Sequence, residues 1–70
     1  MTVVLYTWDA CSHCQRAREL LDRHGIEWRE HALDVALRRE LARRLGRADM
    51  PYALVDGDLV GGVSEIAQRI

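Results

Sequence analysis

Hydrophobic and polar positions repeat with two different periods along the chain, and the change of period separates strands from helices. Val3 to Thr7 is a short apolar run rich in β-branched residues, which predicts a buried first strand. Apolar residues then recur at helical spacing from Ser12 to His24, so we expect a first helix that ends before Gly25. The predicted inward face of this helix carries Cys14, Ala17, Leu20, Leu21 and His24.

The middle of the chain predicts a strand followed by a second helix. Ile26 to Leu33 alternates between apolar and polar residues, with Ile26 and Trp28 on one face, and its polarity indicates an edge strand. Asp34 is a suitable N-cap because its carboxylate can accept a backbone N–H bond. The helix that follows is expected to end at Gly46, and leucines recur in it at four-residue steps: Leu37, Leu41 and Leu45.

The last third of the chain predicts a β-hairpin and a short helix. Tyr52–Val55 and Leu59–Val60 are strand-like, and the Asp-Gly pair between them favours the positive φ angles of a tight turn. Gly61-Gly62 interrupts the pattern before a third helix from Val63 to Ile70. The resulting order, β-α-β-α-β-β-α, indicates one α/β domain over residues 1–70. Its four-stranded mixed sheet would begin with a parallel crossover and end with antiparallel strands.

Length and charge narrow the possible partners. A chain of 70 residues forms a single small core that buries roughly 60% of the surface of the unfolded chain. The net charge is −1, and acidic residues balance arginines that are expected to form a solvated helix face, so we expect no nucleic-acid partner. No apolar segment reaches membrane-spanning length, so we expect no membrane contact. Met1 leads directly into a strand without a signal-peptide pattern, and we therefore expect the cytosol.

Cys11 and Cys14 are the only cysteines, and they lie between the first strand and the first helix. A cysteine in the first turn of a helix faces free backbone N–H groups and the positive end of the helix dipole, which stabilise a thiolate. Cys11 is therefore the expected nucleophile. Cys14 lies one turn deeper on the same face, where it can attack a disulfide formed at Cys11 and release the partner. The pair predicts thiol–disulfide exchange.

Two other interpretations of the cysteine pair are weaker. Zinc normally has four ligands, and the three histidines lie at spacings that form no second ligand pair, so we expect no metal site. A structural disulfide between residues three apart would close almost no loop and would stabilise the fold little. We therefore interpret His24 and His31 as structural residues, like the aromatic Tyr6 and Trp28.

Three motifs in order along the chain resemble those of a glutaredoxin. They are the Cys11–Cys14 pair at the first strand-to-helix turn, Met50-Pro51 before the third strand, and Val-Asp-Gly-Asp-Leu-Val-Gly-Gly, which ends at Gly62. The resemblance covers nearly the whole chain and implies a thioredoxin-like fold. It also implies a monomeric thiol–disulfide oxidoreductase that uses glutathione to reduce protein or glutathione mixed disulfides.

The resemblance further implies a site for glutathione and the substrate beside the cysteines. A cis peptide bond before Pro51 would turn the backbone of Met50 toward the substrate. Gly62 would allow close approach of the chain, and the next two N–H groups and a hydroxyl would hold the γ-glutamyl carboxylate. The implied binding residues are Trp8, Met50, Pro51, Gly62, Val63 and Ser64, and Tyr52 is expected to form an apolar wall with Trp8.

The chain departs from the family pattern at charged positions. Glutaredoxins usually carry a lysine near the position of Trp8, and this chain has none. An arginine is expected to bind the glycyl carboxylate of glutathione instead, and the candidates are Arg38, Arg39 and Arg47. Asp49 stands where the family has threonine. Together with Asp9, it would disfavour the thiolate and repel the carboxylates of glutathione.

Ser12 and His13 lie between the cysteines, where the family commonly has Pro-Tyr, and both are expected to tune the thiolate. His13 resembles the histidine of oxidising thioredoxin-fold proteins, where it stabilises the thiolate. Ser12 resembles family members that hold an iron–sulfur cluster between two subunits. Three alternatives to a glutathione-linked enzyme follow. They are a redoxin reduced by a flavoprotein reductase, a glutathione-binding module without turnover that is similar to the N-terminal domain of glutathione transferases, and an iron–sulfur carrier.

Overall fold

The computed structural model of the chain describes residues 1–70 and contains every predicted strand and helix in the predicted order. Four elements differ from expectation at their ends. The first and third helices each end one residue earlier, the second strand is shorter at both ends and the fourth strand is one residue longer at both ends. The elements are β1 (Val3–Thr7), α1 (Ser12–Arg23), β2 (Trp28–Ala32), α2 (Val35–Leu45), β3 (Tyr52–Val55), β4 (Asp58–Gly61) and α3 (Val63–Arg69).

The strands form one mixed sheet in the order β2-β1-β3-β4. β1 pairs in parallel with β2, from Val3 opposite Trp28 to Thr7 opposite Ala32. β3 runs antiparallel to both β1 and β4. The predicted four-stranded mixed sheet is therefore confirmed, with β2 at an edge. This order places the end of β1, which leads into the cysteine pair, next to the start of β3.

The hydrophobic core lies between one face of the sheet and helices α1 and α3. The alternate residues Val3 and Leu5 of β1 face this core, and Leu21 and Ile66 meet them from the two helices with no exposed surface. Aliphatic residues of β3 and β4 complete the cluster, whose members are Val3, Leu5, Ala17, Leu21, Ala53, Val55, Val60 and Ile66. Apolar periodicity alone predicted the members of this set that belong to β1 and α1, which are Val3, Leu5, Ala17 and Leu21.

His24 does not belong to the inward face of α1, so that part of the prediction is wrong. The helix ends at Arg23, and His24 is the C-cap residue with an exposed side chain. Its ring Nδ1 lies 2.9 Å from the carbonyl oxygen of Leu20. A residue past the last helical turn no longer follows the helical period, and this explains the error. The structural role expected for His31 is supported, since its ring packs 5.3 Å from that of Tyr6.

Helix α2 lies alongside Tyr52, which points to the face of the sheet opposite the main core. Both predicted ends of this helix are confirmed. The Asp34 carboxylate accepts the N–H of Leu37 at 2.7 Å, and Gly46 adopts the left-handed conformation with φ 89°. Glycine is favoured there because it has no Cβ to clash with the backbone. The cap fixes where the chain leaves α2 toward Asp49.

Candidate active site

Cys11 is the N-cap residue of α1, at the point where the chain turns out of the sheet. Its backbone is extended, with φ −107° and ψ 110°, and its Sγ accepts the N–H of Cys14 at 3.2 Å. Both cysteines are free thiols. Cys11 is partly exposed and Cys14 is completely buried. Only the outer sulfur is thus open to a substrate, while the inner one stays within reach of it.

The buried position of Cys14 changes its acidity. Burial, and after it the hydrogen bond with Cys11, raises the pKa of Cys14 to about 11. Desolvation disfavours the charged form of any thiol, and this is the larger of the two causes. At neutral pH the Cys14 sulfur is therefore almost entirely protonated, and it becomes a nucleophile only after losing that proton.

A polar network lies beside the cysteine pair at the end of β1. Arg18 binds Glu30 with two hydrogen bonds, of 3.2 and 2.8 Å, and Glu30 also accepts the hydroxyl of Thr7 at 2.7 Å. Glu30 raises the pKa of Arg18, and the bonds from Arg18 and then Thr7 lower the pKa of Glu30. Glu30 thus holds the Arg18 guanidinium in place on α1, one turn after Cys14. Nothing in the sequence alone indicated that Arg18, Glu30 and Thr7 meet here.

The first of two clefts near the start of α1 lies over this network. Its lining includes both the mouth of the cysteine motif and the edge strand β2. Trp8 and Ser12, two residues expected at the site, lie here, together with Asp9. We call it the edge-strand cleft, and its charged and polar lining residues include Thr7, Asp9, Arg18 and Glu30.

The second cleft lies between the start of α1 and the chain around Pro51. The Met50-Pro51 bond is cis, as the resemblance implied, and the Pro51 carbonyl accepts the N–H of Gly62 at 2.9 Å. Pro51 itself is buried behind the surface. We call this the proline-side cleft. It brings together four of the expected binding residues and one tuning residue with two further charged groups: His13, Arg16, Asp49, Met50, Gly62, Val63 and Ser64.

Asp49 lies at the back of the proline-side cleft in a network that the sequence did not reveal. Arg47 donates to Glu65 at 2.6 Å and to the Gly61 carbonyl at 3.2 Å, and reaches Asp49 only at 3.4 Å. The bond from Arg47 lowers the pKa of Glu65. Tyr52 is 1% exposed and its hydroxyl accepts the N–H of Asp49 at 3.2 Å, so Tyr52 is not an apolar wall of the site.

The three arginines considered for a carboxylate of glutathione occupy different surroundings. Arg47 is bound to the acidic residues Asp49 and Glu65. Arg39 lies on the α2 side of the molecule, in a groove that Arg38 and Tyr52 also line. The Arg38 guanidinium lies 5.0 Å from the ring centroid of Trp8, a cation–π distance. Arg38 is thus held over a residue of the edge-strand cleft.

No three His, Cys, Asp or Glu side chains are grouped as metal ligands. No helix has the length and apolar character needed to cross a bilayer.

Comparison with known proteins agrees with the fold. The sequence matches the family model described as Glutaredoxin over residues 3–60. The chain belongs to the glutaredoxin family. It is 39% identical over 66 residues to the glutaredoxin of Pseudomonas aeruginosa, a match that covers 91% of this chain and 79% of that protein.

Other glutaredoxins give similar matches. Glutaredoxin 3 of Escherichia coli K12 is 33% identical over 66 residues, covering 91% of this chain and 80% of that protein. The solution structure of glutaredoxin from Brucella melitensis superposes with a TM-score of 0.81 at 33% identity, over 97% of this chain and 76% of that one. The thioredoxin-like fold is therefore confirmed, and as a glutaredoxin the protein is a thiol–disulfide oxidoreductase.

Proposed function

We propose that this glutaredoxin reduces mixed disulfides between glutathione and proteins or small thiols, with Cys11 as nucleophile and glutathione as electron donor. The observation that carries the proposal is the position of Cys11. Its partly exposed sulfur lies at the start of α1, accepts a backbone N–H and lines the edge-strand cleft, and the lining of the proline-side cleft includes His13, two residues further along the chain. The glutathione half of a mixed disulfide can extend from one cleft to the other across Cys11, while the other half leaves toward solvent.

The proposed reaction consists of two exchanges. The Cys11 thiolate attacks the glutathione sulfur, a Cys11–glutathione disulfide forms, and the other thiol leaves as a thiolate and takes a proton from solvent. A second glutathione thiolate then attacks the glutathione sulfur of this adduct. It releases glutathione disulfide and restores the Cys11 thiolate. One substrate disulfide is reduced for each glutathione disulfide formed.

Cys14 has a secondary role in this scheme. Its thiol can resolve the adduct by forming the Cys11–Cys14 disulfide, but its raised pKa leaves little thiolate at neutral pH. Free glutathione, with an ordinary thiol pKa, is then the faster resolving nucleophile. Cys14 is needed only when a substrate must be reduced by both thiols.

The proposed binding residues extend along both sides of Cys11. The γ-glutamyl and cysteinyl parts of glutathione bind in the proline-side cleft. Their partners are the backbone of Met50, which precedes Pro51, and the segment Gly62, Val63 and Ser64. Arg38, positioned over Trp8, binds the glycyl carboxylate in place of the lysine usual in the family. Ser12 and His13 tune the thiolate at the start of α1.

The test is reduction of a small glutathione mixed disulfide, coupled to NADPH oxidation through glutathione reductase. We expect Cys11→Ser to fall to the background rate and Cys14→Ser to retain at least about half of the activity, because glutathione replaces the second thiol. Dependence on Cys14 as strong as that on Cys11 would contradict the scheme.

A wild-type protein that is inactive with glutathione but reduced by a flavoprotein reductase would establish the redoxin alternative instead. The absence of lysine from the chain, where the family usually has one near the position of Trp8, is the observation that favours this second candidate. Glutathione binding that persists without either thiol would indicate a binding module, and a coloured dimer after anaerobic reconstitution would indicate an iron–sulfur carrier.

A further inference from the structure

We propose that Asp49 recognises the α-ammonium group of glutathione through a direct ion pair in the proline-side cleft. This inference rests on the proposed function, since it concerns the same co-substrate. It reverses the expectation that Asp49 repels glutathione. It also assigns a specificity-determining role to a residue that stands where the family has threonine.

The first support is where the carboxylate lies. Asp49 Oδ1 and Oδ2 are packed over Gly62, only 2.7 and 2.6 Å from the point that a Cβ at Gly62 would occupy. Any side chain there would collide with the carboxylate, and Gly62 also has a positive φ of 84°. The carboxylate is therefore held against the chain that leads to Val63 and Ser64, on the wall of the cleft.

The second support is the hydrogen-bonding capacity that Asp49 retains. Its carboxylate accepts one bond within the protein, a long one of 3.4 Å from Arg47 Nε. The shorter bonds of Arg47 go to Glu65 and to the Gly61 carbonyl. A carboxylate has about four acceptor positions, so most of its capacity is available to a ligand. The Asp49 side chain is 43% exposed and can be reached from the cleft.

The third support is preorganisation of the backbone. The Asp49 N–H donates to the hydroxyl of Tyr52, a side chain fixed by complete burial. The Tyr52 ring thus holds the segment before Pro51, and Arg47 restrains the carboxylate from the other side. A ligand ammonium would meet an acceptor that is already oriented, which lowers the entropic cost of binding.

The fourth support is the pattern of charge across the cleft. Glutathione carries one ammonium and two carboxylates, and its γ-glutamyl part has an ammonium and a carboxylate on the same carbon. Asp49 is the only carboxylate that lines the proline-side cleft, and Arg16, which makes no ion pair within the protein, is its free cation. Opposite charges in one small cleft suit a zwitterion better than they suit a plain anion.

The test compares two substrates in a single turnover without added glutathione. Reduced protein is mixed with the mixed disulfide of a fluorescent thiol and glutathione, or with the same compound made from deamino-glutathione, in which hydrogen replaces the ammonium. Release of the fluorescent thiol gives the second-order rate constant. We expect the wild type to react about tenfold faster with the glutathione compound, as one exposed ion pair of this kind allows.

Asp49→Asn keeps the shape of the side chain and removes its charge. We expect it to lower the rate with the glutathione compound about tenfold and to leave the rate with the deamino compound unchanged. Asp9→Asn is the matched control, because Asp9 is an exposed carboxylate of the edge-strand cleft. It should change both rates by the same factor, so the wild-type preference should persist.

Three results would overturn the proposal. They are equal rates of the wild type with both compounds, an equal loss with both in Asp49→Asn, and a gain with glutathione in that variant. The comparison of the two substrates with the wild-type protein does not depend on whether any variant folds. Failure of the proposed function is distinct, because the wild type would then show no turnover in the glutathione-coupled assay with any substrate.

Discussion

The two cysteines have the same side chain and opposite environments, and this difference sets what each can do. Cys11 is the cap of α1 and is partly exposed, whereas Cys14 lies beneath it with no exposed surface. The cost of placing a charge on a buried sulfur keeps Cys14 as a thiol. Because the two cysteines are three residues apart, about one helical turn, one sulfur lies at the surface and can react. The other lies inside and reacts only after it loses its proton.

We therefore predict that closure of the Cys11–glutathione adduct to the Cys11–Cys14 disulfide depends strongly on pH. Only the thiolate of Cys14 attacks, and burial, the main cause of its raised pKa, persists in the adduct, so the closure rate should rise about tenfold per pH unit between pH 7 and 9. Acid quenching followed by mass spectrometry measures the rate. A rate that is flat between pH 7 and 9 would contradict the raised pKa.

Between elements, the contact of Arg18 with Glu30 joins α1 to the edge strand β2. The side chains are 27% and 42% exposed, so solvent screens much of their attraction. We predict a coupling free energy of about 0.5–1 kcal/mol in a double-mutant cycle of Arg18→Gln and Glu30→Gln, measured by urea unfolding at neutral pH. The Arg43–Glu40 pair, which lies within α2 alone, is the control and should couple less.

The same pair gives a pH dependence with a definite sign. Binding to Arg18 lowers the pKa of Glu30 in the folded state. Its stabilisation is therefore complete above the ordinary glutamate pKa of about 4.3, and it is lost as the pH falls through the lower folded value. Coupling that survives at a pH below both values would show that the contact is not electrostatic.

The N-cap of α2 depends on a single hydrogen-bond acceptor, the carboxylate of Asp34. Asp34→Ala removes the acceptor for the Leu37 N–H, and we predict a loss of about 1 kcal/mol in the free energy of unfolding. Asp34→Asn retains an acceptor oxygen and should lose only a few tenths of that. Urea titrations of both variants measure the difference, and equal losses would mean that charge, not the hydrogen bond, makes the cap.

The elements and the site were predictable to different degrees. Apolar periodicity and cap residues such as Asp34 and Gly46 are local signals, and they located nearly every strand and helix. The networks around Arg18 and Asp49 join residues from separate elements. No local pattern specifies which partner a surface arginine meets. A helical period also cannot show where a helix stops, and this is why His24 was misplaced.

On the scale of the molecule, the sheet order brings the two clefts to one end. The end of β1 carries Cys11, its parallel neighbour β2 supplies Glu30, and its antiparallel neighbour β3 begins after Pro51. The two neighbours of β1 thus contribute residues on opposite sides of the cysteine pair. The charged networks that shape these sides lie at the surface, while the aliphatic core below holds the strands in register. The residues that surround the reactive cysteine are therefore different from those that stabilise the fold.

That separation can be tested with two adjacent leucines of α1. Leu21 has no exposed surface and Leu20 is partly buried at the border of the core. We predict that Leu21→Ala lowers the free energy of unfolding by about 3 kcal/mol and Leu20→Ala by about half as much, because the cost grows with the cavity left behind. Urea unfolding followed by circular dichroism measures both.

The larger loss is a substantial share of the total for a chain of 70 residues, which is roughly 4–10 kcal/mol at typical values per residue. Leu21→Ala should therefore unfold at a clearly lower temperature, yet below its transition it should react at Cys11 at a rate close to that of the wild type. Leu21 belongs to the core and lines neither cleft, so we expect its substitution to affect folding and to leave the reactivity of the Cys11 sulfur unchanged. Equal losses from the two leucines, or a folded Leu21→Ala protein with a slow thiolate, would show that the core also sets the geometry of the reactive cysteine.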